Sequence, residues 1–330
     1  MATPISSDLD LMRNQLLVRR QKLEQVHSEG HPGEVAELLA EVDRALERIE
    51  ESTFGVCQEC HGTVEADRLM ADPLTSVCLD CLSPAQRRAL EQDLQLAAQI
   101  QQRLLPKRDF KFGPWHAAYH YRAAGAVSGD YLDLVTYDNA LYFMVGDVSG
   151  KGIAASMLMS NLHAMFRVLI PTGMPLDDLM QRASRMFCES TLPTQFATLV
   201  CGKAKPCGEI EICNAGHPAP FLASPQQVAR LDGAGLPVGM FSDATFCGKK
   251  YEASPGDALV IFTDGVAECR NQHGAEYGDE RLHKIAQTCH GPYPQDWVNA
   301  CVSDLEAFGG GGTLFDDQTL MVLKFNPSVS

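Results

Sequence analysis

The sequence predicts an α+β fold, with sheets and helices in separate layers. Three observations carry this. Strand patterns come as hairpins, in "YLDLVTYDNALYFMVGD" and "FATLVCGKAKPCGEIEICNAG". Helix patterns are grouped between the hairpins rather than alternating with single strands, which argues against a doubly wound parallel sheet. Two tight Cys-x-x-Cys pairs stand ahead of this region, in a segment of different composition. The 330 residues therefore divide into a helical hairpin at 1–52, a small cysteine module at 53–82, a linker helix at 83–106 and a large domain at 107–330.

Residues 7–28 place Leu9, Leu16, Leu17, Leu23 and Val26 at roughly helical spacing, and "SEGHPGE" interrupts the pattern. A second helix follows from about Glu34 to Glu51, with Leu38, Leu39, Val42, Ala45, Leu46 and Ile49 as its stripe. Next, Cys57 and Cys60 are followed after 17 residues by Cys78 and Cys81. Each pair puts two thiolates on one turn, and two pairs complete a tetrahedral shell of four sulfurs. A shell with no open position predicts one structural Zn²⁺ rather than a redox pair. His61 is a surplus donor there. Ser83 caps the linker helix, Pro84 opens it and Pro106 ends it, while Leu90, Leu94, Ala97, Gln101 and Leu104 share one face. Such a helix serves either as a rigid connector or as the seam of a coiled-coil homodimer.

In the large domain Asp138-Asn139 marks the turn of the first hairpin. "DALVIFTDG" and "QTLMVLKF" read as further strands, and helix patterns occupy about 153–170, 176–190, 279–289 and 295–308. Cys188, Cys201, Cys213 and Cys269 read as small core residues.

The net charge of −15 divides as −8 over residues 1–105 and −7 over the rest, so neither part offers a basic surface for nucleic acid. No apolar run reaches the ~18–20 residues of a membrane span, and the first residues lack the order of a signal peptide. The twelve cysteines, outside the two pairs, are scattered through apolar segments. That pattern predicts thiols in a reducing cytoplasm.

The aspartates carry the chemistry. Asp130 lies in "SGDYLD", Asp147 in "GDVSGKG", Asp264 in "FTDGVAE", and Asp316 and Asp317 in "FDDQTLMV". Each sits where an apolar strand begins or ends, and three lie beside a glycine. One such residue is an ordinary strand-end turn. Several brought together repel strongly, and hard divalent cations are the natural compensation. Glycine lets the backbone approach closely enough for a carbonyl, such as that of Val148, to join the shell.

Two resemblances extend this reading. "STFGVCQECHGTVEADRLMADPLTSVCLDC" resembles the zinc finger of the DksA/TraR family, whose members insert an acidic coiled-coil tip into RNA polymerase. The tip here, "HSEGHPGE", lacks the paired aspartates of that family. From about 100 to 326, "QIQQRLLP", "YRAAGAVSGDYLDL", "GDVSGKGIAASMLM", "NAGHPAP", "LPVGM", "IFTDGVAECRNQHGAEYG" and "DDQTLMV" resemble, in order, the metal-dependent PPM phosphatases of the SpoIIE/RsbU type. That resemblance implies an αββα sandwich with two Mn²⁺ or Mg²⁺ ions. It implies Asp130, Asp147, Asp264 and Asp316 as catalytic metal ligands, with the Val148 carbonyl. Asp317 then either ligates or orients its neighbours. Where the family usually has Gly-Gly-Asp, this chain has Ser128-Gly129-Asp130. Arg122 either meets the substrate phosphate or lies on the surface, and His217 in the "NAGHPAP" loop supports the loop or acts as an acid.

The implied activity is hydrolysis of phosphoserine or phosphothreonine in a phosphoprotein such as an anti-sigma-factor antagonist, in the cytoplasm and under the control of the zinc module. The reading from another class is a non-enzymatic regulator that binds RNA polymerase or another protein through that module.

Overall fold

The computed structural model describes residues 6–28, 32–192, 194–224, 226–233, 235–289, 291–310 and 314–327. The chain separates into two compact units, Met1–Asp93 and Leu94–Ser330.

In the first unit, helices α1 (Ser6–Ser28) and α2 (Pro32–Glu50) match the two apolar stripes. Part of the predicted interruption, residues 29–31, lies outside the described residues. A six-residue helix α3 (Ala66–Ala71) lies between the cysteine pairs. The hairpin and the cysteine module share one apolar core of Met12, Leu16, Val42, Ala45, Phe54, Cys57, Val64, Leu69 and Cys78. Helix α4 (Pro84–Leu104) opens on a capping box in which the Gln86 N–H donates to Ser83 Oγ and the Ser83 N–H donates to Gln86 Oε1.

The second unit is an αββα sandwich. Its strands are β1 (Phe110–Phe112), β2 (Trp115–Arg122), β3 (Asp130–Tyr137) and β4 (Ala140–Val148). Helices α5 (Gly152–Leu169) and α6 (Leu176–Ser190) come next. Then follow β5 (Ala197–Ala204), β6 (Glu209–Ala215), β7 (Phe221–Ala223), β8 (Val228–Arg230), β9 (Lys249–Glu252) and β10 (Ala258–Phe262). The short α7 (Asp264–Ala267), α8 (Asp279–Thr288), α9 (Pro294–Gly309) and β11 (Gln318–Phe325) complete it. One sheet has the order β1-β2-β11-β10-β7-β8 and the other β3-β4-β5-β6-β9, all neighbours antiparallel.

Alternation along the strands builds three apolar layers. On β4, Leu141, Phe143 and Val145 face the other sheet, with Trp115, Ile261, Met321 and Leu323 across from them. The intervening Tyr142 and Met144 face α5 and α6, against Met159, Phe166 and Phe187. Outside the other sheet, Val260, Phe262, Leu320 and Val322 pack on Leu282, Trp297, Val298 and Leu305 of α8 and α9. Both sheets are covered on both faces, which is why their central strands read as nearly continuous apolar runs.

Asp138 and Asn139 take φ of 47° and 52°, the left-handed pair that a two-residue hairpin turn requires. Gly202 pairs with Phe143 across β4 and β5, and a Cβ there would meet the Phe143 ring at 2.0 Å. The ring lies over the bare backbone. Gly202→Ala is therefore expected to lower stability by about 2 kcal/mol or more, read as a drop in Tm of the purified protein. Beneath α5 the wholly buried Asp133 receives Arg167 Nε at 2.8 Å and Nη2 at 2.6 Å, an ion pair that pins the helix to β3.

Uninterrupted runs gave no membrane-length segment, yet Gly152–Thr172 is long and apolar enough to span a membrane by length and composition. Its inner face of Ala155, Met159, Leu162, Phe166 and Leu169 is buried in the sandwich. Of the four scattered cysteines taken as core, Cys201 and Cys213 are buried, while Cys188 and Cys269 are half-buried.

Candidate metal centre

The register of β3 and β4 sets Asp130 directly opposite Asp147. Directly opposed residues in an antiparallel pair project to the same face, so two carboxylates share one end of this sheet. The other sheet supplies a second pair. Asp264 opens α7 immediately after β10, and Asp316 precedes β11, which is the neighbour of β10. Strand ends from both sheets thus deliver four carboxylates to one edge of the sandwich.

Close approach is built in by glycine. A Cβ on Gly129 would lie 3.3 Å from both Asp147 Oδ1 and the Val148 carbonyl oxygen, so the Asp130 loop packs directly on two of the expected ligand atoms. A Cβ on Gly265 would lie 1.9 Å from the Asp317 carbonyl oxygen, so only glycine lets α7 start against β11.

The electrostatics follow from this crowding. Asp147 is pushed up to about 8, by burial first and then by the charges of Asp264, Asp316 and Asp317, with Lys151 pulling it back. Asp264 is raised by burial and by Asp316. Asp130 is 1% exposed and raised well above the usual carboxylate range by burial and by Asp147, an effect that a hydrogen bond from Thr319 partly offsets. Buried, mutually repelling carboxylates are a donor set of oxygens suited to hard divalent ions. These residues suit such ions: Asp130, Asp147 and Asp264 are destabilised as bare anions, and the Val148 carbonyl lies by Asp147.

The remaining bonds divide the aspartates by task. Asp130 Oδ2 accepts from Thr263 Oγ1 at 3.1 Å and from Thr319 Oγ1 at 2.5 Å, which leaves Oδ1 for a ligand. Asp317 accepts the N–H groups of Ala124 at 2.7 Å and Gly129 at 2.8 Å, one on each oxygen, so it organises the loop before Asp130. Ser128 has its own use: its Oγ accepts the Asp130 N–H at 3.0 Å, a bond that glycine in that place could not make.

Gln101 of α4 was visible in the sequence only as a polar residue within an apolar stripe. It is buried and grips the Ser128 backbone from both sides, Nε2 donating to the carbonyl at 2.7 Å and Oε1 accepting the N–H at 2.9 Å. Gln101→Ala leaves two buried backbone groups without partners two residues from Asp130, at a cost of about 1–3 kcal/mol each. The expected result is a Mn²⁺ affinity several-fold weaker than wild type by calorimetry, in a protein that still folds.

Arg122 is exposed at the end of β2, its Cα opposite Gln318. His217 is 3% exposed and its Nδ1 lies 2.9 Å from Thr198 Oγ1, where Thr198 is the strand partner of Asp147. Burial depresses His217 to about 3, so it is neutral near pH 7, and Asn214 pins its backbone through two hydrogen bonds. Those contacts suit loop support. Residues that the sequence did not single out include Thr263 and Thr319, which look like ordinary strand threonines, and Lys151 between two glycines.

In the other unit, the ligand atoms of Cys57, Cys60, Cys78 and Cys81 all lie within 4.8 Å of one another. Cys60 Sγ and Cys78 Sγ are 3.7 Å apart, close to the edge of about 3.8 Å of a tetrahedron with 2.3 Å zinc–sulfur bonds. The Cys78 N–H donates to Cys57 Sγ and the Gly62 N–H to Cys60 Sγ. Such donors suit thiolates, and the backbone N–H groups of Cys60 and Cys78 bring Cys57 down to about 6. The cluster fits a structural zinc.

Comparison with known proteins finds relatives of both regions. The family described as Stage II sporulation protein E (SpoIIE) matches residues 137–326, and the prokaryotic dksA/traR C4-type zinc finger matches residues 52–87. Protein IcfG of Synechocystis is 27% identical over 264 residues, which is 71% of this chain but only 42% of IcfG. Phosphoserine phosphatase RsbU of Bacillus subtilis is 26% identical over 246 residues, 72% of this chain and 71% of RsbU. Among solved structures, the SiaA-PP2C domain of Pseudomonas aeruginosa superposes with a TM-score of 0.65 at 17% identity, covering 73% of this chain and 98% of that one. The PP2C phosphatase domain of SpoIIE from Bacillus subtilis gives 0.56 at 17% identity, covering 66% and 64%.

Proposed function

The chain belongs to the SpoIIE family, and on that footing we propose that it is a protein serine/threonine phosphatase. The observation that carries the reading is that Asp130, Asp147, Asp264 and Asp316 come from two sheets to one edge, crowded enough that the pKa values of Asp130, Asp147 and Asp264 are raised by burial and by neighbouring carboxylates. These residues, with the Val148 carbonyl, would hold two Mn²⁺ or Mg²⁺ ions. When bound, the ions supply a water ionised near neutral pH and positive charge that offsets the phosphate oxygens.

The protein's own groups do the rest. Asp147, pushed up to about 8, would lose its proton to become a ligand, so loading would release protons and strengthen as pH rises. Asp130 ligates through Oδ1 while Thr263 and Thr319 fix its carboxylate plane. Asp317 and Gln101 hold the loop that aims Asp130, and neutral His217 steadies the strand opposite Asp147.

The substrate is a phosphoprotein, and the RsbU relative, a phosphoserine phosphatase by name, favours phosphoserine. An anti-sigma-factor antagonist in a cytoplasmic partner-switching pathway is the substrate this reading selects. One structural Zn²⁺ folds the first unit, which regulates the catalytic one; because the predicted α4 stripe turns inward at Gln101 and Leu104, a homodimer seam on α4 falls instead to Leu96 and Ile100, 56% and 55% exposed.

The test is hydrolysis of a phosphoserine peptide by the full chain with added Mn²⁺. Metal-dependent turnover that Asp264→Asn removes supports the reading. A folded protein that binds Mn²⁺ yet releases no phosphate would overturn it, in favour of a non-catalytic regulator.

A further inference from the structure

We infer that Lys151 is the side chain that receives the substrate phosphate. The inference rests on the phosphatase reading and adds a group that neither the aspartates nor Arg122 provide. Lys151 Nζ donates to Asp316 Oδ2 at 2.8 Å and to the Phe315 carbonyl at 2.6 Å, which puts an ammonium at the rim of the carboxylate group. Its charge also pulls down Asp147 and Asp264, so it lies within electrostatic reach of ligands from both sheets.

The bond to Asp316 is one that the lysine gives up cheaply. Its side chain is 58% exposed and that of Asp316 40%, and exposed ion pairs are worth about 1 kcal/mol or less. A divalent ion held by Asp316 would displace that ammonium, which would then be free to meet an anion.

The backbone around it allows the exchange. Gly150 and Gly152 take φ of 97° and 73°, and a Cβ on either would meet nothing within 4 Å, so open space flanks the lysine on both sides. Lys151 is also the N-cap residue of α5 and makes no side-chain cap. The N–H groups of the first turn of this 18-residue helix therefore receive no cap from Lys151, and that end of a helix attracts anions. An ammonium, an uncapped helix start and the carboxylate of Asp316, which would take a divalent ion, thus meet at one residue, Lys151. A phosphate dianion is the group that satisfies all three. Arg122 lies at the same edge, exposed and with its Cα opposite Gln318, while Lys151 is the cation bonded directly to Asp316.

The experiment compares the full-length wild type with Lys151→Gln and Lys151→Arg, each loaded with Mn²⁺. Inorganic phosphate binding is measured by calorimetry, Mn²⁺ affinity separately, and kcat and KM on a phosphoserine peptide. Lys151→Gln is expected to weaken phosphate binding and raise KM by about tenfold or more, the scale of one lost charge-assisted hydrogen bond. Lys151→Arg should restore part of both. Mn²⁺ affinity of Lys151→Gln should be equal to wild type or tighter, because a competing cation is gone. Equal phosphate affinity in wild type and Lys151→Gln overturns the assignment, as does a loss of Mn²⁺ binding that accounts for the change. If wild type binds phosphate about tenfold more tightly than Lys151→Gln but turns over no peptide, the lysine assignment stands and the phosphatase reading falls.

Discussion

Asp147→Asn is expected to lower metal-dependent kcat/KM on a phosphoserine peptide by about 10³-fold or more, roughly 4 kcal/mol of transition-state stabilisation. The residue faces ligands from both sheets, so its loss weakens the whole centre rather than one bond. The same substitution should have the opposite effect on the metal-free fold. Asp147 is raised from 3.8 to about 8 in the folded chain, chiefly by burial. A group shifted upward contributes its stability below its unfolded pKa and loses it as pH rises through the folded one. Metal-free wild type should therefore lose Tm steadily between about pH 4 and pH 8, and Asp147→Asn should flatten that slope. Saturating Mn²⁺ should flatten it in wild type as well. A wild-type Tm that rises across this range in a chelator would contradict the assignment of Asp147 as a protonated member of a repelling group.

Cys78→Ser, or stripping the metal with a strong chelator, is expected to unfold the first unit. Structural zinc sites contribute about 10–16 kcal/mol, as much as or more than the ~5–15 kcal/mol by which whole domains are stable. Cys57 and Cys78 are not appended to the core of that unit but lie inside it, with Met12, Leu16, Val42 and Phe54. Losing the metal therefore exposes apolar surface of both hairpin helices. The measurement is amide hydrogen exchange. Protection should vanish over α1, α2 and residues 54–81 and persist in the β strands of the second unit. Unchanged protection in the first unit would mean that the hairpin holds without zinc.

The sequence was most informative where one periodicity ruled. Helices α5, α6, α8 and α9 and the strands β3 to β6 were legible because each couples a regular apolar pattern to a turn signal, such as Asp138-Asn139. The strand β2 was not. Its "WHAAYHYR" carries two histidines and two tyrosines, and only the folded chain shows Trp115, Ala117 and Tyr119 facing the other sheet while Ala118 meets the α9 layer. The short β7, β8 and β9 hold three or four residues each, too few for a pattern of period two.

At the site, each aspartate could be named because a charge at the end of an apolar strand is conspicuous. Their supports could not be. Thr263 and Thr319 lie 133 and 189 residues from Asp130, and nothing local to a threonine marks it as the partner of a distant carboxylate. Gln101 left a trace, a polar side chain at a buried position of the α4 stripe, whose meaning waits on Ser128 being placed beside it.

β11 comes last among the strands in sequence but lies in the interior of its sheet, between β2 and β10. It holds Thr319, and the residues just before it are Asp316 and Asp317. A growing chain that has not yet been synthesised past residue 325 thus lacks the strand that joins β2 to the rest of its sheet. Two-fifths of the way along, Asp130 has already left the ribosome without the hydroxyl that will fix it. The hydrogen bonds that tie the Asp130 loop to the other sheet, from Thr263, Thr319 and Asp317, all span more than a hundred residues, so closure must come late, after the loops between have paid their entropy. Catalytic competence should appear as the final event of refolding, in a single slow phase that coincides with burial of Trp115, and no shorter fragment should acquire a fraction of it.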